Sequence, residues 1–290
     1  MYRLALIVGV ITVYASAATV PVYKIAVYPS APFSATVADI NNDGGNDIVV
    51  LAKDDGTDTI FWFENKYIMA TYGRLWEEHQ VDAIGSQYSL YADDLDGTNY
   101  LDIVHSNGAG YLNNGSADGW KPISIDTGIN PVGTADINND GDVDVVYAGA
   151  TTGGWYENAG NGASWTAHTD TFNHRSITPL DADGDGDWDV LTMYQYQFVP
   201  SRFYIAENLD GSGGGWNEYE IDILDNDDVL ASRGVAAVEV NGNSTADICI
   251  AVIAADAGDV LALSFDTGSS VTTIDEGTAY STVLGGDFDN

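Results

Sequence analysis

Three nine-residue segments place a side-chain oxygen at almost every second position: DINNDGGND at 39–47, DINNDGDVD at 136–144 and DADGDGDWD at 181–189. Side chains at positions 1, 3, 5 and 9 of such a segment converge. A carbonyl at position 7 can join them, and Gly at position 6 permits the sharp turn. An all-oxygen set of this kind suits a hard cation, and Ca²⁺ accepts its irregular geometry more readily than Mg²⁺. The predicted ligands are Asp39, Asn41, Asp43 and Asp47 in the first segment. They are Asp136, Asn138, Asp140 and Asp144 in the second, and Asp181, Asp183, Asp185 and Asp189 in the third. Without a cation, several carboxylates this close and lacking basic neighbours would repel one another. A weaker copy, DLDGTNYLD at 94–102, offers Asp94, Asp96 and Asp102 but has Thr98 at position 5 and Asn99 in place of Gly. Another, EVNGNSTAD at 239–247, replaces the Gly with Ser244, and a sixth begins at Asp287. An EF-hand is excluded, because its twelfth position must be acidic and a helix must follow. Here that position holds Val50, Tyr147 or Thr192, within β-branched runs.

Other chemistry is sparse. The four His form no evident site; His79 and His168 share one place in the repeat, which Ile123 and Tyr219 fill elsewhere. A place that accepts His, Ile and Tyr reads as packing or surface. No nucleophile elbow, zinc-protease helix or phosphate-cradling loop occurs. The residues six before each Asp-rich segment do vary: Phe33, Tyr88, Asn130, Arg175, Arg233 and Ser281. They are expected at the mouth of a central channel, where aromatic and Arg side chains suit a sugar or an anion. Asn114-Gly115-Ser116 has the form of a glycosylation acceptor.

The elements that must carry these loops are short strands. Before the loops stand runs such as Ser34–Ala38 and Gly234–Val238, and after them Ile48–Leu51, Val145–Tyr147 and Val190–Thr192. All are too short and too β-branched for helix. An aromatic strand ending in Glu-Asn follows, as in Phe61-Trp62-Phe63-Glu64-Asn65 and Gly154-Trp155-Tyr156-Glu157-Asn158. Trp76, Trp120, Trp165 and Trp216 then open a fourth strand. The loops begin at 39, 94, 136, 181, 239 and 287, so each unit is a four-stranded sheet of propeller-blade size. The fold class predicted is all-β, a β-propeller of four-stranded blades with Asp-rich calcium loops. The D-x-[DN]-x-D-G-x-x-D loop, repeated with W-x-E-N and W-x-x-H strands, resembles the FG-GAP/VCBS repeat of integrin-α-like propellers. The resemblance implies loops between the first and second strands of each blade, with bound Ca²⁺ stiffening the ring. It also implies that Pro21–Val27 supplies the outer strand of the last blade. The chain ends within a sixth loop, so a parent of six or seven blades, C-terminally incomplete here, is expected.

Composition sets the compartment and the partners. Lys and Arg total 9 against 44 acidic residues, a formal charge of −35 that disfavours nucleic acid and anionic membranes. Charged residues are only 18% of the 290 and hydrophobic residues 45%, so a folded chain is expected. Only nine of the 44 acids are Glu; the loops account for the Asp bias. Met1-Tyr2-Arg3, the apolar run Leu4–Val13 and Ala15-Ser16-Ala17 predict a secretory signal over 1–17 and a mature propeller over 18–290. Cys249, the one cysteine, lies in an apolar run and reads as a small core residue. The resulting expectation is a secreted, calcium-binding propeller that binds an extracellular glycan or surface protein without entering the membrane. A polysaccharide lyase on the same scaffold, or a structural subunit of a surface assembly, is the alternative.

Overall fold

A computed structural model of the chain describes residues 4–6, 34–54, 56–66, 75–85, 89–116, 119–149, 152–194, 202–221, 229–238, 247–254, 258–264, 270–276 and 284–286. Among them a first strand, β1 (Leu4–Leu6), precedes five blades. The first blade is β2 (Ser34–Ala38), β3 (Asp47–Asp54), β4 (Thr57–Lys66) and β5 (Leu75–Ile84). The second is β6 (Leu90–Asp93), β7 (Asp102–His105), β8 (Ala109–Asn113) and β9 (Trp120–Ser124). The third is β10 (Asn130–Ala135), β11 (Asp144–Ala148), β12 (Gly153–Asn158) and β13 (Trp165–Phe172). The fourth is β14 (Arg175–Leu180), β15 (Asp189–Tyr194), β16 (Arg202–Asn208) and β17 (Trp216–Ile221). The fifth is β18 (Val229–Val238), β19 (Asp247–Ala254), β20 (Gly258–Ser264) and β21 (Ser270–Glu276), and β22 (Leu284–Gly286) follows.

Each blade is an antiparallel meander whose strands pair in chain order. The first strand of each blade contacts the first strand of the next, from β2 through β6, β10, β14 and β18 to β22. The first strands are therefore innermost, as the propeller reading requires. The core lies between the blades. Ile40, Val49, Leu51, Ile60 and Trp62 of the first blade pack with Leu90, Ile103 and Tyr111 of the second. Leu95, Val104 and Leu112 of the second blade pack with Val145 of the third. Val146, Trp155 and Phe172 of the third meet Val190 and Ala206 of the fourth. A single blade has no second layer, so its apolar face is buried only by its neighbour.

Of the N-terminal run, the described residues Leu4–Leu6 pair antiparallel with Leu284–Gly286. The outer strand expected at Pro21–Val27, the loop at 239–246, and the rim residues Phe33 and Tyr88 lie outside the described residues. Cys249 sits inside β19, opposite Ala236 and Ala262. No helix among the described residues is long and apolar enough to cross a membrane.

Candidate functional site

The Asp-rich segments join the first and second strands of blades one to four, at one end of the sheets. All four share a backbone with left-handed residues at positions 4 and 6. Position 4 is Asn42 (φ 56), Gly97 (φ 72), Asn139 (φ 56) or Gly184 (φ 80). Position 6 is Gly44 (φ 87), Asn99 (φ 66), Gly141 (φ 95) or Gly186 (φ 97). Asn tolerates this region better than other non-Gly residues, which is why the second loop keeps the turn without its Gly. The first carboxylate bridges the turn. Asp39 Oδ1 and Oδ2 accept the N–H groups of Asp43 (3.0 Å) and Gly44 (2.8 Å). Asp94 does the same with Thr98 (3.0 Å) and Asn99 (2.7 Å), and Asp136 with Asp140 (3.1 Å) and Gly141 (2.9 Å). In the fourth loop Asp181 takes the Gly184 N–H (2.8 Å) instead.

Position 9 has a role that the spacing alone hides. Asp47, Asp102, Asp144 and Asp189 are at most 1% exposed, and each spans two strands. One oxygen accepts the position-2 N–H: Ile40 (3.2 Å), Leu95 (2.8 Å), Ile137 (3.0 Å) or Ala182 (2.8 Å). The other accepts the N–H of the Asn at or next to the end of the third strand: Asn65 (2.8 Å), Asn113 (2.7 Å), Asn158 (2.8 Å) or Asn208 (2.9 Å). Burial pushes the Asp47 carboxyl up to about 6 and those of Asp102, Asp144 and Asp189 to about 7. The backbone donors oppose that rise, while neighbouring loop carboxylates add to it. These groups clamp the loop to the sheet, and each oxygen keeps a lone pair for a cation.

The Asn residues are the functional positions that motif reading missed. Asn113 Nδ2 donates to the carbonyl of Ile40, in the preceding blade's loop (2.9 Å), and to Leu101 in its own (3.2 Å). Asn158 repeats this with Leu95 (2.7 Å) and Val143 (3.0 Å), and Asn208 with Ile137 (2.9 Å) and Trp188 (3.4 Å). The Asn158 Oδ1 receives Gly160 and Gly162 N–H groups (both 3.1 Å). Each such Asn therefore latches one blade to the loop of the blade before it. The recurrence of Glu-Asn marked Asn158 and Asn208, though not Asn113, which follows Leu112, and it did not mark their partners about 60 to 75 residues earlier.

The loops offer what a hard cation needs. Carboxylate oxygens of Asp94, Asp96 and Asp102 lie within 4.8 Å of one another, as do those of Asp181, Asp183 and Asp185. Asp96 Oδ1 is buried and makes no hydrogen bond, so the second loop, the least regular of the four, holds an oxygen with unmet demand. In the first and third loops Asn41 and Asn138 stand at position 3, and their Nδ2 groups donate to Asp43 (3.3 Å) and Asp140 (3.0 Å). A third set, Glu64, Glu77 and His79, also converges. There the Lys66 ammonium already lies 2.6 Å from Glu64 and 3.6 Å from Glu77. His168 stacks on Trp155 (4.1 Å) and His79 lies tilted against Trp62 (4.6 Å); they meet Glu157 (2.8 Å) and Glu64 (3.1 Å), a packing role.

At the opposite end of the blades, Asn130 and Arg175 begin the innermost strands β10 and β14, and Arg233 lies within β18 beside a bulge. Arg175 is exposed. Beside it His174 stacks on Tyr204 with centroids 4.0 Å apart, meets Tyr194 edge-on at 5.6 Å, and places Nδ1 3.2 Å from Glu218.

Residues 136–192, from the third Asp-rich loop into β15, match the FG-GAP-like repeat family. No curated protein matches the sequence. Among solved structures, an Agrocybe aegerita lectin that recognises non-reducing terminal N-acetylglucosamine aligns at 16% identity and TM-score 0.47, over 82% of this chain and 79% of its own. The six-bladed, fucose-recognising lectin of Aleuria aurantia aligns at 12% identity and TM-score 0.49, over 86% and 78%. With loop, clamp and latch recurring around consecutive four-stranded blades, the chain folds as a β-propeller in which residues 136–192 match an FG-GAP-like repeat.

Proposed function

We propose that the chain is an exported propeller that holds Ca²⁺ in its Asp-rich loops and binds a saccharide or surface protein at the other end of the blades. The observation that carries this reading is the contrast between the two ends. The loop end repeats the same turn, clamp and latch from blade to blade, as a stabilising framework does. The other end changes residue by residue, from Asn130 to Arg175, as a recognition surface does. The donor chemistry supports calcium: Asp39, Asn41, Asp43 and Asp47, and their counterparts at 94–102, 136–144 and 181–189, supply only oxygen. A bound cation would neutralise the crowded carboxylates and fix the loop to which the next blade is latched. The charged start, apolar run and Ala15-Ser16-Ala17 support export.

The test is a glycan and polysaccharide retention screen of the purified chain, in millimolar calcium and in chelator. Retention of a defined set of glycans in calcium, without new unsaturated ends, is the expected result. A calcium-loaded, cooperatively folded chain that retains no glycan and no extracellular protein overturns the reading. Appearance of unsaturated ends assigns a lyase instead.

A further inference from the structure

The joint between the third and fourth blades departs from the pattern of the joints before it. Two residues before the latch Asn, the third strand carries Phe63, Tyr111 and Tyr156 in the first three blades, but Ala206 in the fourth. Tyr111 and Tyr156 use that position to reach the preceding blade, donating their hydroxyls to Asp82 (2.7 Å) and Asp126 (2.6 Å). Four residues before the Asn stand Phe61 in the first blade, Ala109 and Gly154 in the two tethered blades, and Tyr204 in the fourth. The aromatic ring has moved one step toward the rim, and the tether is gone.

A different assembly replaces it. The Glu218 side chain, 7% exposed, accepts the Asn173 N–H (3.1 Å) and the Thr192 hydroxyl (3.3 Å). Its carboxylate also lies 3.2 Å from Nδ1 of His174, whose ring lies flat on Tyr204 and edge-on to Tyr194. Tyr194 is 43% exposed. It pairs in register with Arg202, as Tyr204 does with Glu220, so these four side chains share one face of the blade. Arg202 and Glu220 form an exposed ion pair at 3.2 Å. The result is an aromatic ring held from behind on rigid strands, bordered by a guanidinium and a carboxylate. None of this is needed to close the joint, which Trp155, Phe172, Val190 and Ala206 already fill.

We infer that this face is a binding subsite for a neutral hexopyranose, an assignment that rests on the saccharide-binding reading above. The Tyr194 ring offers a flat apolar surface to the C–H face of a pyranose. Arg202 supplies donors and Glu220 acceptors for paired hydroxyls. An acidic sugar is disfavoured, because Glu220 already pairs with Arg202 and the whole chain carries −35.

The experiment compares wild type with Tyr194→Ala, Arg202→Ala and Tyr219→Ala. Tyr219 is a similarly exposed tyrosine whose strand partner is Ile205, so it lies on the opposite face of the same sheet. Titrations use the neutral and the uronate-bearing oligosaccharides that wild type retains. The expected result is a loss of roughly tenfold for Tyr194→Ala, a smaller loss for Arg202→Ala and none for Tyr219→Ala, with all four melting alike. Wild-type affinity in both Tyr194→Ala and Arg202→Ala overturns the site while leaving saccharide binding intact. Retention of uronate-bearing in preference to neutral sugars overturns the ligand class. A wild type that binds neither overturns both readings.

Discussion

Asn158 shows how much one buried carboxamide carries. Its amide bonds carbonyls in two blades, and its oxygen collects N–H groups of the turn that follows. Asn158→Ala leaves the Leu95 and Val143 carbonyls without their donors in a buried setting. Destabilisation on the order of 3 kcal/mol is expected in urea unfolding, well above the effect of an exposed substitution. His105 gives a pH signature of its own. Burial holds its imidazole below the ordinary 6.5, against the Ser106 carbonyl and Asp82, which favour the cation. Because the folded value is the lower one, the unfolded chain takes up more protons between the two. Stability from this residue is complete above about pH 6.5 and is lost as the pH falls through that window. His105→Phe keeps a ring against Tyr111 and removes the titration. The midpoint difference between wild type and variant should therefore shift toward the variant on going from pH 7.5 to 5.5. A difference that is constant over that range excludes a buried neutral His105.

Between blades, two devices recur with different reach. The latch acts at the loop end through Asn, and the tether acts at the outer strands through Tyr111–Asp82 and Tyr156–Asp126. A double-mutant cycle on Tyr111→Phe and Asp82→Asn should give a coupling of about 1 kcal/mol, modest because Asp82 is open to solvent. No coupling would make the contact incidental. The blade meander was legible in the sequence. Asp-rich turns, Glu-Asn strand ends and an opening Trp (Trp76, Trp165, Trp216) mark the first, third and fourth blades, and Trp120 marks the second. The structure opens β5, β9, β13 and β17 at or beside those Trp residues. The latch was not legible, since a carboxamide next to Glu looks like a polar strand end until its partner carbonyl arrives from the preceding blade. The loop at 94–102 was legible as a weaker copy offering Asp94, Asp96 and Asp102, and the three do converge; what the letters did not show is that Asn99, at φ 66, keeps the turn in place of the Gly. The Tyr204 and Ala206 exchange is visible in the letters, yet its meaning depends on which face of β16 meets the third blade.

Across the molecule, the loops set carboxylates against a chain that already carries −35, so the ring is held together against its own charge. Two kinds of cation effect should separate cleanly. Sodium chloride screens exposed charges over roughly 8–10 Å at moderate ionic strength and should raise the midpoint gradually. A loop-bound ion acts on buried oxygens such as those of Asp47, Asp102, Asp144 and Asp189, which simple salt screens poorly. Millimolar Ca²⁺ added at constant high ionic strength should therefore still raise the melting midpoint, and chelator should reverse it. At ten times the dissociation constant each occupied loop contributes about 1.4 kcal/mol, so several loops together shift the midpoint by many degrees. Substituting position 1 in one loop, Asp136→Ala, should remove one such increment and leave the others. Because the Asn158 and Asn208 latches tie the third blade to both its neighbours, that loss should lower one cooperative transition, not split off a separate one. Equal midpoints in calcium and chelator at high salt would leave the loops as hydrogen-bonded turns stabilised by clamp and latch alone. A biphasic melt of Asp136→Ala would show instead that the blades unfold independently, with the latch too weak to couple them.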